Sequence, residues 1–182
     1  MGTMILTDTL SLLTRTPAAL DALLRGLPDG VTLANEGAAT WSPFDIVAHL
    51  IHAERTDWMP RVTMIMTVGE SRAFEPFDRE GDLHDRRRSA SLDQLLDEFA
   101  RVRADNLTAL RGLDLAPADL DRRGTHPALG TVTLSQLLAT RAGHDLTHLH
   151  QISRVLAHQY RDAVGPWRVY LGVLQCNGHS AS

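Results

Sequence analysis

The chain has 182 residues, of which 43% are hydrophobic and 22% charged, a composition typical of a globular protein. The chain has 18 basic and 22 acidic residues, and the resulting formal charge of −4 argues against binding to nucleic acid or to an anionic membrane. All the basic residues are arginines, which excludes lysine chemistry, and the single cysteine excludes an internal disulfide and a cysteine-rich metal site. The length predicts one domain over residues 1–182.

The N-terminal segment, Met1 to Leu13, lacks the basic region and the cleavage pattern of a signal peptide. No apolar run in the chain approaches the roughly 20 residues of a membrane span. We therefore expect a cytoplasmic protein with no membrane partner.

Helical periodicity then predicts two helices in the first part of the chain. The first covers about residues 4–27, with an internal restart at Pro17. The second begins after Ser42, which is followed by a proline and, three residues on, by an aspartate, the pattern of a capping box. It extends to about Thr67, with a kink at Pro60, which cannot donate to the carbonyl one turn earlier.

The second part of the chain predicts two loops and two further helices. Residues 69–90 carry charge runs without periodicity and are predicted to form a long loop. The third helix covers about residues 91–113, with Arg103 on its solvated face, and a second long loop follows over residues 114–129. The fourth helix covers about residues 134–159. Four helices without a sheet predict an all-α four-helix bundle with long loops after helices 2 and 3.

The fourth helix carries histidines where apolar residues are expected. At 100° per residue, His144 and His148 lie on or beside its apolar stripe, one turn apart, whereas His150 lies on the opposite face. Two imidazoles at this spacing can bind one metal ion, and ordinary hydrogen-bonded histidines or a general acid–base pair are the alternatives. A zinc-like site needs a third protein ligand, for which the second helix offers His49, slightly favoured, or His52. Four other histidines are predicted to lie at the surface or in the loops: His84, His126, His158 and His179.

Two segments resemble the signatures of a known family, the DinB-like superfamily. Residues 41–50, WSPFDIVAHL, resemble its second-helix signature, and residues 144–152, HDLTHLHQI, resemble its last-helix signature. The order of the elements matches as well, over nearly the whole chain. The resemblance implies an up-down-down-up four-helix bundle in which His49, His144 and His148 bind a divalent metal ion, either zinc or nickel.

The resemblance also implies a metal-dependent enzyme, a hydrolase or a thiol S-transferase, that activates a water or a low-molecular-weight thiol. Three neutral imidazoles leave coordination positions open, as catalytic sites do. The alternatives are a thiol-dependent isomerase of the maleylpyruvate type, a non-catalytic metal-binding or stress-associated protein, and a metal-free helical interaction module. Since family members often form homodimers, we expect a homodimer that takes a small-molecule substrate or thiol and binds no nucleic acid.

Two more residues of the fourth helix are candidates for the catalytic site. Asp145 falls inside the buried stripe, and we expect it to accept a hydrogen bond from His49 or from an arginine, either orienting the site or joining two helices. Arg141 lies one turn before His144 on the same stripe. It binds a substrate carboxylate in one interpretation and pairs with Asp145 in the other, which we favour.

Overall fold

The computed structural model describes residues 2–81 and 83–176, without the side chains of residues 2–5 and 84. The described chain is mostly helical, with the α-helices α1 (Gly2–Leu24), α2 (Asp29–Thr32), α3 (Pro43–Ala53), α4 (Met59–Thr67), α5 (Leu83–Ser89), α6 (Leu92–Gly112) and α7 (Leu134–His158). A π-helical turn, Glu54–Trp58, joins α3 to α4. Two short strands, β1 (Arg123–His126) and β2 (Gly130–Thr133), form an antiparallel hairpin.

Helix α1 is continuous through Pro17, so the predicted restart at this residue is wrong. Proline lacks the N–H group that would bond to the carbonyl of Leu13, one turn earlier. That carbonyl instead accepts a hydrogen bond of 2.9 Å from Nη1 of Arg103, on α6. The acceptor that the proline leaves free is satisfied from a neighbouring helix, and this allows α1 to continue.

Helix α3 begins with the predicted capping box. Ser42 Oγ accepts a hydrogen bond of 3.3 Å from the Asp45 N–H, and Asp45 Oδ2 accepts one of 2.9 Å from the Ser42 N–H. Every residue of α3 except His52 is buried. The predicted interruption near Pro60 takes the form of the π-helical turn directly before α4, as expected where a proline cannot donate to the helical ladder.

The segment predicted as a loop after the second helix, residues 69–90, contains α5. Its arginines are engaged with other helices. Arg86 forms two hydrogen bonds of 3.0 Å with Glu98 of α6, and Arg87 bonds to Asp45 of α3. The prediction of a long loop is therefore wrong over α5, because its arginines find partners on α3 and α6, which the periodicity of the segment itself does not show.

The loop predicted over residues 114–129 contains β1, and the hairpin continues into β2. Strands of four residues are too short to show the alternation by which a sequence reveals a strand. Ala73 pairs with Thr125 of β1, and at Gly124 a Cβ atom would lie 2.7 Å from the ring of Phe74. The close approach of backbone to ring requires glycine here, and it ties the segment after α4 to the hairpin.

Helices α1 and α3 each pack against both α6 and α7. An apolar core lies between these four helices and includes Leu20, Ile46, Ile51, Phe99 and Ile152, all fully buried. This packing faces α3 towards α7, the two helices that carry the predicted metal ligands. In the described ranges no helix combines the length and the hydropathy needed to cross a membrane.

Candidate metal centre

Three histidine side chains converge between α3 and α7. His49 Nε2 lies 3.2 Å from His144 Nε2, and His148 Nε2 lies 3.1 Å from the same atom. One ligand nitrogen from each of the three residues lies within 4.8 Å of the other two, so the group can hold one metal ion. The structure thus brings together the three residues that the sequence predicted as ligands.

Hydrogen bonds fix the orientation of two of these rings. His49 Nδ1 lies 3.0 Å from the backbone oxygen of Arg79, and His148 Nδ1 lies 2.8 Å from Oε1 of Gln151. Both partners are acceptors, so Nδ1 carries the proton and donates in each ring. The Nε2 atoms of His49 and His148 therefore present lone pairs to the centre of the group.

The ring of His144, the third of the group, indicates whether a metal ion fits this arrangement. A proton on His144 Nε2 can be donated to only one of its two neighbours, so without a cation at least one pair of nitrogen lone pairs would face each other at close range. A divalent cation instead accepts electron density from all three nitrogens. Zinc and nickel both suit imidazole ligands, and the residues present fit either ion.

Burial keeps the three imidazoles neutral. Desolvation lowers the pKa of His49 from 6.5 to about 4 and the pKa of His144 to about 2. Repulsion by the protonated form of His148 adds to both shifts. Desolvation also lowers the pKa of His148. At neutral pH all three rings are in the uncharged form that binds a metal ion.

A second buried polar cluster, the ion-pair network, consists of Glu54, Arg103, Arg141 and Asp145, each at most 2% exposed. Arg103 donates to the two oxygens of Asp145 at 2.6 and 2.9 Å. Arg141 donates to the two oxygens of Glu54 at 3.2 and 2.5 Å. Nε of Arg103 lies 3.1 Å from Glu54 Oε1 and links the two pairs, so two guanidinium groups balance two carboxylates.

The ion-pair network settles the partners of the two candidate residues on the fourth helix. Asp145 bonds to an arginine, as predicted, and the alternative partner, His49, donates elsewhere. The predicted pair between Arg141 and Asp145 is wrong, because Arg141 bonds to Glu54. Buried in that pair and outside the cavity lining, Arg141 is not placed to bind a substrate carboxylate. The prediction of a solvated Arg103 is also wrong, since its partners lie on other elements, which the periodicity of α6 cannot show.

A cavity of about 700 Å³ opens onto the three histidines. This volume lies within the range of small-molecule sites. Its aromatic lining residues are Trp41, Trp58 and Phe77. Its charged lining residues are Asp57, Arg61, Arg79, Glu80 and Arg154.

Asp57 is a candidate catalytic residue that the sequence did not reveal. It is 6% exposed, and desolvation raises the pKa of its carboxyl group, an effect that Arg61 opposes from 2.8 Å. A carboxylate with a raised pKa in a cavity wall is typical of functional sites. The π-helical turn brings Asp57 to the wall, and an extrapolation of the α3 periodicity does not predict its position.

The other histidines whose side chains the structure describes lie apart from the three converging rings. His126 lines the cavity, and its Nδ1 accepts hydrogen bonds of 3.2 Å from two backbone N–H groups of the β1–β2 connection. His52 is partly buried beside Phe77, His158 is partly buried, and His150 is exposed. The side chain of His84 and the whole of His179 lie outside the described residues.

Comparisons with known proteins agree with this fold. A family model described as the DinB superfamily matches residues 12–152. The solved structure of YfiT from Bacillus subtilis, described as a probable metal-dependent hydrolase with an unusual four-helix bundle topology, is similar with a TM-score of 0.72. The two chains are 19% identical, and the match covers 87% of each, a likeness that shows the fold. A search of curated proteins found no match.

Proposed function

This chain belongs to the DinB superfamily, and on that premise we propose that it is a metal-dependent hydrolase whose metal ion is held by His49, His144 and His148. The observation that carries the proposal is the convergence of three Nε2 atoms, at separations of 3.1 and 3.2 Å, in the lining of a cavity. Three protein ligands leave a coordination position open, as in catalytic zinc sites. The description of YfiT as a probable metal-dependent hydrolase supports the same reaction class.

A divalent ion in this site would supply Lewis-acid chemistry, polarising a carbonyl group or lowering the pKa of a water molecule. The protein's own residues then have separate tasks. The Arg79 carbonyl and Gln151 orient the rings of His49 and His148 through their Nδ1 protons. We assign the proton acceptor to Asp57, since it is the buried carboxylate among the described lining residues.

The test measures metal content and hydrolysis together. Protein loaded with zinc or with nickel is analysed for bound metal and assayed on a panel of esters and amides. We expect one ion per chain, and we expect Asp57→Asn to keep the metal and lose most of the turnover number. Asp105→Asn, at an exposed position, is the control. One bound ion without turnover on any substrate would instead favour a non-catalytic metal-binding protein.

A low-molecular-weight thiol is the second candidate for the activated group. The cavity of about 700 Å³ has room for one, and Cys176 is exposed and outside the cavity lining, so the thiol would come from solution. In the cobalt-substituted protein, a thiolate-to-metal absorption band on addition of small thiols, with thiol-dependent turnover, would establish the S-transferase or isomerase reading. If neither the absorption band nor thiol-dependent turnover is observed, the proposal of a hydrolase is retained.

We further propose the up-down-down-up order of the bundle, a homodimer and the absence of a nucleic-acid partner. The first two rest on the family, and the last rests on the net charge of −4. An experimental structure tests the order of the helices, and light scattering tests the dimer. Retention on a DNA column at physiological salt would contradict the third proposal.

A further inference from the structure

Arg79 is an arginine of the cavity lining whose charge is not matched within the described chain. It is exposed, and no described carboxylate lies within ion-pair distance of its guanidinium group. The two other lining arginines are engaged: Arg61 pairs with Asp57 at 2.8 Å, and Arg154 pairs with Glu36 at 2.7 Å. Arg79 is therefore the lining cation that is available to a ligand.

The backbone that carries Arg79 is fixed against α3. The Arg79 carbonyl accepts the Nδ1 proton of His49. The ring of Phe77, two residues before Arg79, contacts the ring of His49 edge-on, with the two centroids 5.6 Å apart. Gly81, two residues after Arg79, has a φ of +46°, and a Cβ atom there would lie 2.5 Å from the ring of His52. These contacts hold the backbone of residues 77–81 beside the three histidines. They therefore fix the position from which the Arg79 side chain extends.

The charges around the three histidines favour an anion. The ligands are neutral, so they leave the full charge of a divalent ion uncompensated. The carboxylate of Asp145 is already matched by Arg103, and that of Asp57 by Arg61. The other carboxylate of the described lining, Glu80, is exposed to solvent, which screens its charge. The positive charge of Arg79 also reaches the group, since it lowers the pKa of His49, His144 and His148 alike.

We propose that Arg79 binds the oxyanion of the substrate, so that the site accepts small molecules with a carboxylate, or a similar oxyanion, attached to an apolar body. A guanidinium group offers paired donors that match a carboxylate. Trp41, Trp58 and Phe77 supply the apolar wall. The inference rests on the proposed hydrolase function and adds the substrate class to it.

Binding of benzoate tests the proposal without an activity assay. Trp41 and Trp58 line the cavity, whereas Trp167 is 70% exposed, so a Trp167→Phe background makes tryptophan fluorescence report on the cavity. In zinc-loaded protein we expect Arg79→Gln to weaken benzoate binding on the order of tenfold, as for loss of a charged hydrogen bond. Arg72→Gln, an exposed arginine outside the cavity lining, is the matched control and should change nothing.

Uncharged benzamide should bind weakly and be indifferent to Arg79→Gln, and phenylphosphonate in place of benzoate distinguishes a phosphonate-type oxyanion from a carboxylate. Equal benzoate binding by the Arg79→Gln and parent proteins, or no preference for either anion over benzamide, would overturn the proposal. Metal analysis accompanies every titration. If the parent protein holds no metal, the proposed function fails, and the same titration on metal-free protein still decides whether Arg79 binds the anion.

Discussion

The two buried polar clusters of this protein differ in whether the chain itself supplies partners for their acceptor groups. In the ion-pair network, the carboxylates of Glu54 and Asp145 lie within 3.2 Å of guanidinium nitrogens, and the charges balance. In the histidine group, three nitrogens face one another at 3.1 and 3.2 Å without enough protons to bridge them. The charges of the first cluster balance within the folded chain, and its carboxylates are hydrogen-bonded, whereas the nitrogen lone pairs of the second are satisfied together only by a cation.

Helix α7 connects the two clusters, because Asp145 directly follows His144. Through Asp145 and Arg141, the ion-pair network ties α7 to α6 and to the π-helical turn. It thereby fixes the rotation of the helix that carries His144 and His148. On this comparison, changes in the histidine group should affect metal binding, and changes in the ion-pair network should affect stability.

The largest expected effect is on metal affinity. His148→Ala removes one of three ligand nitrogens, and we expect zinc affinity to fall by more than the roughly 100-fold that loss of a ligand's hydrogen-bond partner costs. Competition with a chromophoric chelator measures it. His150→Ala, at an exposed position of the same helix, should keep wild-type affinity. Full zinc stoichiometry in the His148→Ala protein would show that the histidine group is not the metal site.

The next effect is on stability. Arg103→Met leaves the carboxylate of Asp145 buried with only the hydroxyl of Thr16 as its hydrogen-bond donor, and it leaves the Leu13 carbonyl without the Arg103 donor. We expect the free energy of unfolding in urea to fall by about 3–5 kcal/mol, the usual cost of breaking a buried ion pair from one side. Arg101→Met, at an exposed position of α6, is the control.

A second variant separates the charge effect from simple loss of packing. Arg103→Met combined with Asp145→Leu removes both charges of this pair and leaves Glu54 paired with Arg141, and it should recover part of the stability that the single change loses. If Arg103→Met costs less than about 1 kcal/mol, the network contributes no more than a surface ion pair does.

The difference between the clusters also explains what could be predicted from the sequence. The histidine group depends on local spacing: His144 and His148 are one turn apart on α7, and His49 follows a capping box that fixes where α3 begins. Such features are visible in a single segment of sequence. The family resemblance then joined the two segments.

The ion-pair network depends on partners that are distant in the chain. Arg103 meets Asp145 over 42 positions, and Arg141 meets Glu54 over 87. Glu54 begins the π-helical turn, whose wider winding shifts every later side chain of the segment relative to the periodicity of α3. Neither helical periodicity nor local spacing carries this information, which is why Arg103, Glu54 and Asp57 were not predicted.

Acid should act on the histidine group in the metal-free protein. Because burial lowers the pKa of His49 from 6.5 to about 4, the unfolded chain binds more protons than the folded chain between these pH values. Stability should therefore fall as the pH drops from 6.5 towards 4, on the order of 3 kcal/mol from His49 alone, and these histidines should contribute little pH dependence above about pH 7.

Urea unfolding across this pH range measures the effect. The reference is a variant with glutamine at all three positions, His49→Gln, His144→Gln and His148→Gln, which retains the buried carboxylates that also respond to acid. The difference in stability between the two proteins isolates the histidines. A difference that stays constant from pH 7 to pH 4.5 would contradict the lowered pKa values.

The smallest effect concerns the hydrogen bond that orients His148. Gln151 Oε1 accepts its Nδ1 proton at 2.8 Å, so Gln151→Leu should lower zinc affinity about tenfold, the lower end for loss of a ligand's partner, with little change in stability. Gln151→Glu places a carboxylate at the same position and should restore or raise the affinity, since a charged acceptor makes the imidazole more basic. Equal affinities in all three proteins would show that Gln151 does not orient the ligand.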